Sequence, residues 1–106
     1  MGSIADGILQ AWRYIKSAER EESAVVTFFV PRQYGKRAIA VALGVRTLLK
    51  NPREPMFYGP NAANVREGIA LILEEEGVLE RAEFSESSVV LDIAPPQQRE
   101  EREMPN

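Results

Sequence analysis

The sequence predicts a two-layer α/β sandwich with the element order α-β-α-β-α-β-β, and three observations predict it. First, 106 residues suffice for one hydrophobic core but not for two. Second, three stretches place apolar residues at helical spacing, and runs rich in β-branched and aromatic residues alternate with them. Third, a strand, a helix and a strand in succession need a crossover connection. The first two strands should therefore be parallel neighbours, with the helices on one face.

The first element is an N-terminal amphipathic helix, predicted over residues 4–20. Ser3 is a plausible N-cap, and Asp6 stands three positions later, as in a capping box. One face of this helix carries four large apolar residues at spacings of four, four and three: Ile4, Ile8, Trp12 and Ile15. Its register predicts that Trp12 belongs to the core or to a helix-docking surface rather than to an interface.

A central strand and a second helix follow. Ala24–Val30 is rich in β-branched and aromatic residues and nearly continuous in apolarity, as in a strand buried on both faces. Pro31 cannot donate a ladder hydrogen bond and should end its pairing. Helix-forming residues then extend from Gln33 to Lys50. The second helix should end at Asn51-Pro52, because proline disfavours helical geometry in the residue before it.

The second half of the chain predicts a short strand at residues 55–58, a third helix and a closing hairpin. Asn64 is the predicted N-cap of this helix, with Glu67 in capping-box register, and Gly77 supplies the left-handed residue that ends it. Strands Leu79–Phe84 and Ser88–Ala94 should pair through the intervening loop 85–87. Residues 1–94 are thus predicted to be one domain, in which residues 1–22 are helix and linker and residues 23–94 are the core. The tail 95–106 is predicted to be mobile.

Composition excludes several functional classes. The chain has no cysteine and no histidine, so it can form neither a disulfide nor a thiolate or imidazole metal site, nor a Ser-His or Cys-His nucleophile pair. Carboxylate-metal chemistry stays open, although no D-x-D or EF-hand spacing occurs. We expect a non-catalytic protein without a cofactor, a metal site or a small-molecule substrate. The same composition is compatible with a thermophilic source.

The apolar runs are far shorter than a membrane-spanning helix requires. The N-terminus also lacks a basic stretch followed by an apolar one, the pattern of a secretory signal. These two features predict a cytoplasmic protein without a membrane partner.

Charge is distributed unevenly along the chain. The formal net charge is −3, but the segment from Ser23 to Arg53 contains no acidic residue and six basic ones. Within it, Arg32-Gln33-Tyr34-Gly35-Lys36-Arg37 stands at the junction of the predicted strand and helix, where free N–H groups and the helix dipole favour an anion. Tyr34 could stack on a base or a sugar. The predicted nucleic-acid-binding residues are Arg32, Gln33, Tyr34, Lys36, Arg37, Arg46 and Lys50.

Two other interpretations of the charged segments remain open. The basic residues could pair with the acidic second half, and Glu74-Glu75-Glu76 is the obvious partner within one copy. A homodimer that places the basic loop of one copy near the acidic helix end of the other would satisfy both clusters.

The turn 59–64 could also bind phosphate before a helix. A plain turn is favoured, because the segment matches neither a P-loop nor a G-x-G-x-x-G motif.

Three motifs suggest a family resemblance: Gly35-Lys36-Arg37 at the start of a helix, Leu48-Leu49 near its end, and Met56-Phe57-Tyr58 in a short strand. In these motifs and in element order and spacing, Val25 to Ala94 resembles the Alba family of archaeal chromatin and RNA-binding proteins. The resemblance implies an Alba-like fold with an extra N-terminal helix and a dimer in which Lys36 and Arg37 contact nucleic-acid backbone. Residues 60–63 replace the family's arginine-containing loop, which implies weak binding. The last 40 residues also look like the β-α-β-β unit of a small-subunit ribosomal protein, again an RNA-binding scaffold.

Two functional hypotheses follow from the sequence. The first is an Alba-like nucleic-acid-binding protein, acting on DNA or RNA as a homodimer without reading the base sequence. The second is a protein-interaction or assembly module, either a homo-oligomer or a subunit of a larger complex, with no nucleic-acid role.

Overall fold

A computed structural model describes residues 3–20, 35–59 and 62–93 of the chain. These residues form three helices, a 3₁₀ turn and three strands. In chain order they are α1 (Ile4–Arg20), α2 (Gly35–Lys50), β1 (Met56–Phe57), α3 (Ala63–Glu75), the 3₁₀ turn Leu79–Arg81, β2 (Ala82–Phe84) and β3 (Ser88–Leu91). The predicted strand Ala24–Val30 and the tail 95–106 lie outside the described residues.

The predicted capping box at the start of α1 is confirmed. The Asp6 N–H donates to Ser3 Oγ at 3.1 Å, and the Ser3 N–H donates to Asp6 Oδ2 at 3.3 Å. The two residues thus satisfy one another's backbone donors, and the aspartate places negative charge at the positive end of the helix dipole. The bounds of α1 agree with the prediction.

The prediction that Asn64 caps α3 is wrong. The helix begins at Ala63, so Asn64 already lies in its first turn, and Ala62 occupies the N-cap position without a side-chain hydrogen bond. The first helical hydrogen bond runs from the Arg66 N–H to the Ala62 carbonyl at 2.9 Å. Alanine is the best helix former, so the two alanines extend the helix beyond the capping signal. The prediction for the C-terminal end of α3 is confirmed, because Gly77 has a φ of +76° and so adopts the left-handed conformation that ends the helix.

The three described strands form one antiparallel sheet in the order β1-β3-β2. Met56 lies opposite Val89 in one pair, and Glu83 lies opposite Val90 in the other. The hairpin of β2 and β3 confirms the predicted closing element. Both of its strands were predicted too long. β3 ends at Leu91, and Leu79–Arg81 form a 3₁₀ turn, in which the Arg81 N–H donates to the Val78 carbonyl at 2.9 Å. The parallel pairing predicted for the first two strands involves undescribed residues.

Helices and sheet share one hydrophobic core. α1 packs against both α2 and α3, and β3 contributes Val89 and Leu91 from below the helices. Trp12 is only 4% exposed, which confirms that it is a core residue. The chain is therefore a small mixed domain of helices and sheet. The full order α-β-α-β-α-β-β would require a strand at residues 24–30, beyond the described ranges. None of the described helices is both long and apolar enough to cross a bilayer.

Close packing of α1 on α3 depends on Gly68. A Cβ atom at this position would lie 2.8 Å from Ile8 Cδ1 and 3.0 Å from Ile8 Cβ. Because Ile8 Cβ is fixed to the backbone of α1, any larger residue at position 68 would push the helices apart.

Ion pairs join α1 to the C-terminal end of α3. Arg13 Nη2 lies 2.5 Å from Glu75 Oε1, and Lys16 Nζ lies 2.7 Å from Glu76 Oε2. Hydrogen bonding from Arg13 holds the pKa of the Glu75 carboxyl below its ordinary value, and the same contact raises the pKa of the Arg13 guanidinium. Both groups are exposed to solvent, so the pair orients the two helices more than it stabilises them.

Candidate nucleic-acid interface

The seven residues predicted to bind nucleic acid fall into two groups. Arg32, Gln33 and Tyr34 lie outside the described residues. The other four belong to α2, and they occupy three separate positions along it: Lys36 and Arg37 in the first turn, Arg46 in the fourth and Lys50 at the end.

Lys36 and Arg37 are exposed at the N-terminal end of α2. The first turn contains no acidic residue, and neither cation forms an ion pair with any residue that the structure describes. A cation near a helix N-terminus opposes the helix dipole, so this pair is unfavourable in the absence of an anion. This end of α2 is an uncompensated positive site within the described structure.

Arg46 is compensated within the same copy. Its Nε atom lies 2.5 Å from Glu19 Oε1, in an ion pair that links α2 to α1. The Nε atom is buried, and the contact does not meet the geometry of a hydrogen bond. Arg46 therefore faces α1 rather than a surface shared with Lys36 and Arg37.

Lys50 shares a helix face with Lys36 but stands far from it. The two lysines are 14 residues apart, or about 21 Å along a helix with 1.5 Å rise per residue. Between them the outward face of α2 carries the uncharged residues Ala40, Leu43 and Thr47. The structure thus keeps Lys36 and Arg37 together, and it places Arg46 and Lys50 elsewhere.

The acidic end of α3 does not neutralise the described part of the basic segment. Glu75 and Glu76 pair with Arg13 and Lys16 of α1. Glu76 Oε2 also accepts a hydrogen bond from Trp12 Nε1 at 3.3 Å. Within the described residues, these two glutamates thus pair with α1 and not with the basic residues of α2.

An exposed aromatic residue stands next to Arg37. Phe57 in β1 is 74% exposed. It borders a cleft of about 290 Å³ between α2 and β1, which Arg37, Val41 and Tyr58 also line. Residues of a strand alternate between its two faces. The Met56 side chain packs against Gly44 of α2 on the inner face, so the next residue, Phe57, is directed outward.

A second groove, of about 460 Å³, lies on the other side of Tyr58, between α3 and the hairpin. The Arg66 Cζ atom lies over the Phe84 ring, 5.2 Å from its centroid, and the Tyr58 and Phe84 ring centroids are 6.5 Å apart. The carboxylates of Glu67 and Glu86 stand at the rim. Sequence reasoning missed this surface, since only the arrangement of α3 and the hairpin brings Arg66 to Phe84.

Comparisons with protein-family models, with curated proteins and with solved structures find no match for this chain. The resemblance to the Alba family therefore stays a prediction from the motifs quoted above. Within the described ranges, no group of three or more carboxylate side chains is placed to hold a metal ion.

Proposed function

We propose that this protein is a non-catalytic nucleic-acid-binding protein that contacts the phosphate backbone at the N-terminal end of α2. One observation carries the proposal: Lys36 and Arg37 are adjacent and exposed in the first turn of α2, which contains no acidic residue, and neither forms an ion pair with a described residue. A phosphate would compensate both cations, and the dipole and backbone N–H groups of a helix N-terminus favour an anion at this position.

The two cations of this site set the expected strength of binding. The logarithm of the binding constant falls linearly with the logarithm of the salt concentration, and each neutralised phosphate contributes about −0.9 to the slope of that line. Two contacts give a slope near −2, far below that of proteins with a broad basic face. Binding should accordingly be weak and independent of base sequence, because backbone contacts carry no sequence information.

Charge reversal at both residues should weaken binding strongly. We expect Lys36→Glu with Arg37→Glu to lower the affinity for a fluorescent DNA or RNA oligonucleotide about tenfold or more at about 50 mM salt, as measured by anisotropy. The matched control is Arg53→Glu with Arg81→Glu, which changes the net charge equally. Both arginines border the far end of β3, where the Arg53 N–H donates to the Leu91 carbonyl and the Arg81 carbonyl accepts from the Asp92 N–H.

Two results would contradict the proposal. One is the absence of DNA or RNA binding by the unaltered protein at about 50 mM salt. The other is an equal loss of affinity in the two double variants, because that would show a response to net charge alone.

Homodimer formation is the second candidate function, and the outward face of α2 favours it. Leu43 is 38% exposed at the centre of the uncharged stretch between Lys36 and Lys50. We expect light scattering to give twice the chain mass, and Leu43→Glu to give a monomer because it places a charge within an apolar contact. A monomer at both low and high salt before any substitution would end this alternative.

A further inference from the structure

We propose that the nucleic acid bound by this protein is single-stranded, and that its unpaired bases stack on a surface formed by Phe57, Tyr58, Arg66 and Phe84. This inference rests on the proposed function, because it takes the phosphate contacts at Lys36 and Arg37 as given. It adds the class of nucleic acid and a second set of binding residues.

The first argument is the position of Phe57 beside the phosphate site. Its ring is 74% exposed, and Arg37 lines the same cleft. Exposed phenyl rings are costly in water, and every base offers an apolar face of similar size. A base stacked on Phe57 would keep its own phosphate within the reach of Arg37. This alternation of aromatic and basic side chains is the usual arrangement of single-strand binding surfaces.

The second argument is the cation–π pair of Arg66 and Phe84. The Arg66 Cζ atom lies over the Phe84 ring, 5.2 Å from its centroid, and Arg66 is exposed, so its guanidinium is accessible to a base. Guanidinium planes serve as stacking platforms for unpaired bases. The attraction of the guanidinium to the ring favours this position of Arg66, which reduces the conformational entropy lost when a base binds.

The third argument is that Tyr58 joins the two stacking positions and is held in place. It lines both the cleft beside Arg37 and the groove beside Arg66. Its hydroxyl donates to the Ser85 carbonyl, and its backbone N–H donates to the Ser87 carbonyl at 2.8 Å. The hairpin thereby holds the Tyr58 ring beside Phe84. Successive bases could occupy the cleft and the groove on either side of it.

The charges around the groove indicate that bases rather than phosphates enter it. Glu67 and Glu86 would repel a phosphate group. The same carboxylates can accept hydrogen bonds from the exocyclic amines of bases. A volume of about 460 Å³ lies within the range of sites that enclose small organic groups. Duplex DNA keeps its base faces stacked inside the helix, so it could use the Lys36 and Arg37 contacts but not this surface.

The experiment compares one sequence as single-stranded DNA, single-stranded RNA and duplex DNA, by anisotropy at fixed salt. We expect the single strands to bind about tenfold more tightly than the duplex. Phe57→Ala should lower single-strand affinity about fivefold or more, with the duplex affinity and the salt slope unchanged. Phe57→Trp should restore single-strand binding, because it restores a stacking surface.

The two proposals fail in different ways. Equal affinity for single strands and duplex, or an equal effect of Phe57→Ala on both, would overturn the stacking inference and leave backbone binding intact. No binding of any of the three nucleic acids would overturn the proposed function itself. If Phe57→Ala leaves nucleic-acid affinity unchanged but changes the mass measured by light scattering, Phe57 belongs to a protein interface and the stacking inference is wrong.

Discussion

Replacement of Trp12 by alanine should lower the free energy of unfolding by about 3–5 kcal/mol, the usual cost of truncating a buried large aromatic residue. Trp12 is 4% exposed in the shared core of helices and sheet. Its Nε1 atom also donates to Glu76 Oε2, which ties α1 to the end of α3. Domains of this size are stable by only about 5–15 kcal/mol, so the variant should lose a large fraction of its total stability.

A conservative variant separates packing from hydrogen bonding. Trp12→Phe keeps a ring in the core but removes the N–H donor, and Glu76 retains its ion pair with Lys16 at 2.7 Å. We expect this variant to lose clearly less stability than Trp12→Ala. Both are measured by urea denaturation followed by circular dichroism, since Trp12 is the only tryptophan and its fluorescence is lost on substitution. A loss below about 1 kcal/mol for Trp12→Ala would show that α1 does not dock as described.

The helices of this protein were predictable where local signals decide them. The apolar spacing of α1 and the Ser3 and Asp6 capping box lie within a few residues of each other, so no tertiary contact is needed to recognise them. Gly77 likewise ends its helix through its own backbone freedom. The errors arose where two local signals competed. At Asn64, the helix-forming residues Ala62 and Ala63 moved the start of α3 ahead of the predicted cap. After Gly77, residues Leu79–Arg81 formed a 3₁₀ turn instead of the first part of the predicted strand.

The candidate site was only partly predictable, because charge pairing is a tertiary property. The absence of acidic residues from Ser23 to Arg53 correctly draws attention to Lys36 and Arg37. It cannot show that Arg46 pairs with Glu19, since the two residues are 27 positions apart and meet through the packing of α1 on α2. The stacking surface was missed for the same reason, because Arg66 and Phe84 belong to different elements.

The role of α1 differs most from what the sequence suggested. Beside an Alba-like core it was expected to be an extra helix, yet its apolar face lies in the main core and contacts both other helices. The position of Ile8 shows why. Ile8 is fully buried, and it packs where α3 has Gly68. The helices approach closely because no side chain separates them, so α1 completes the core that α2 and α3 share.

Ile8→Ala should therefore cost about 2–5 kcal/mol of unfolding free energy, towards the upper end of that range. The cost of such a cavity depends on whether neighbouring groups can move into it. Opposite Ile8 stands Gly68, which has no side chain to fill the space. Ile4→Ala is the matched control, because the same residue type in the same helix is 37% exposed and its truncation should cost clearly less. Equal losses in urea denaturation would mean that Ile8 is not buried against α3, and that α1 can leave the domain without destroying its core.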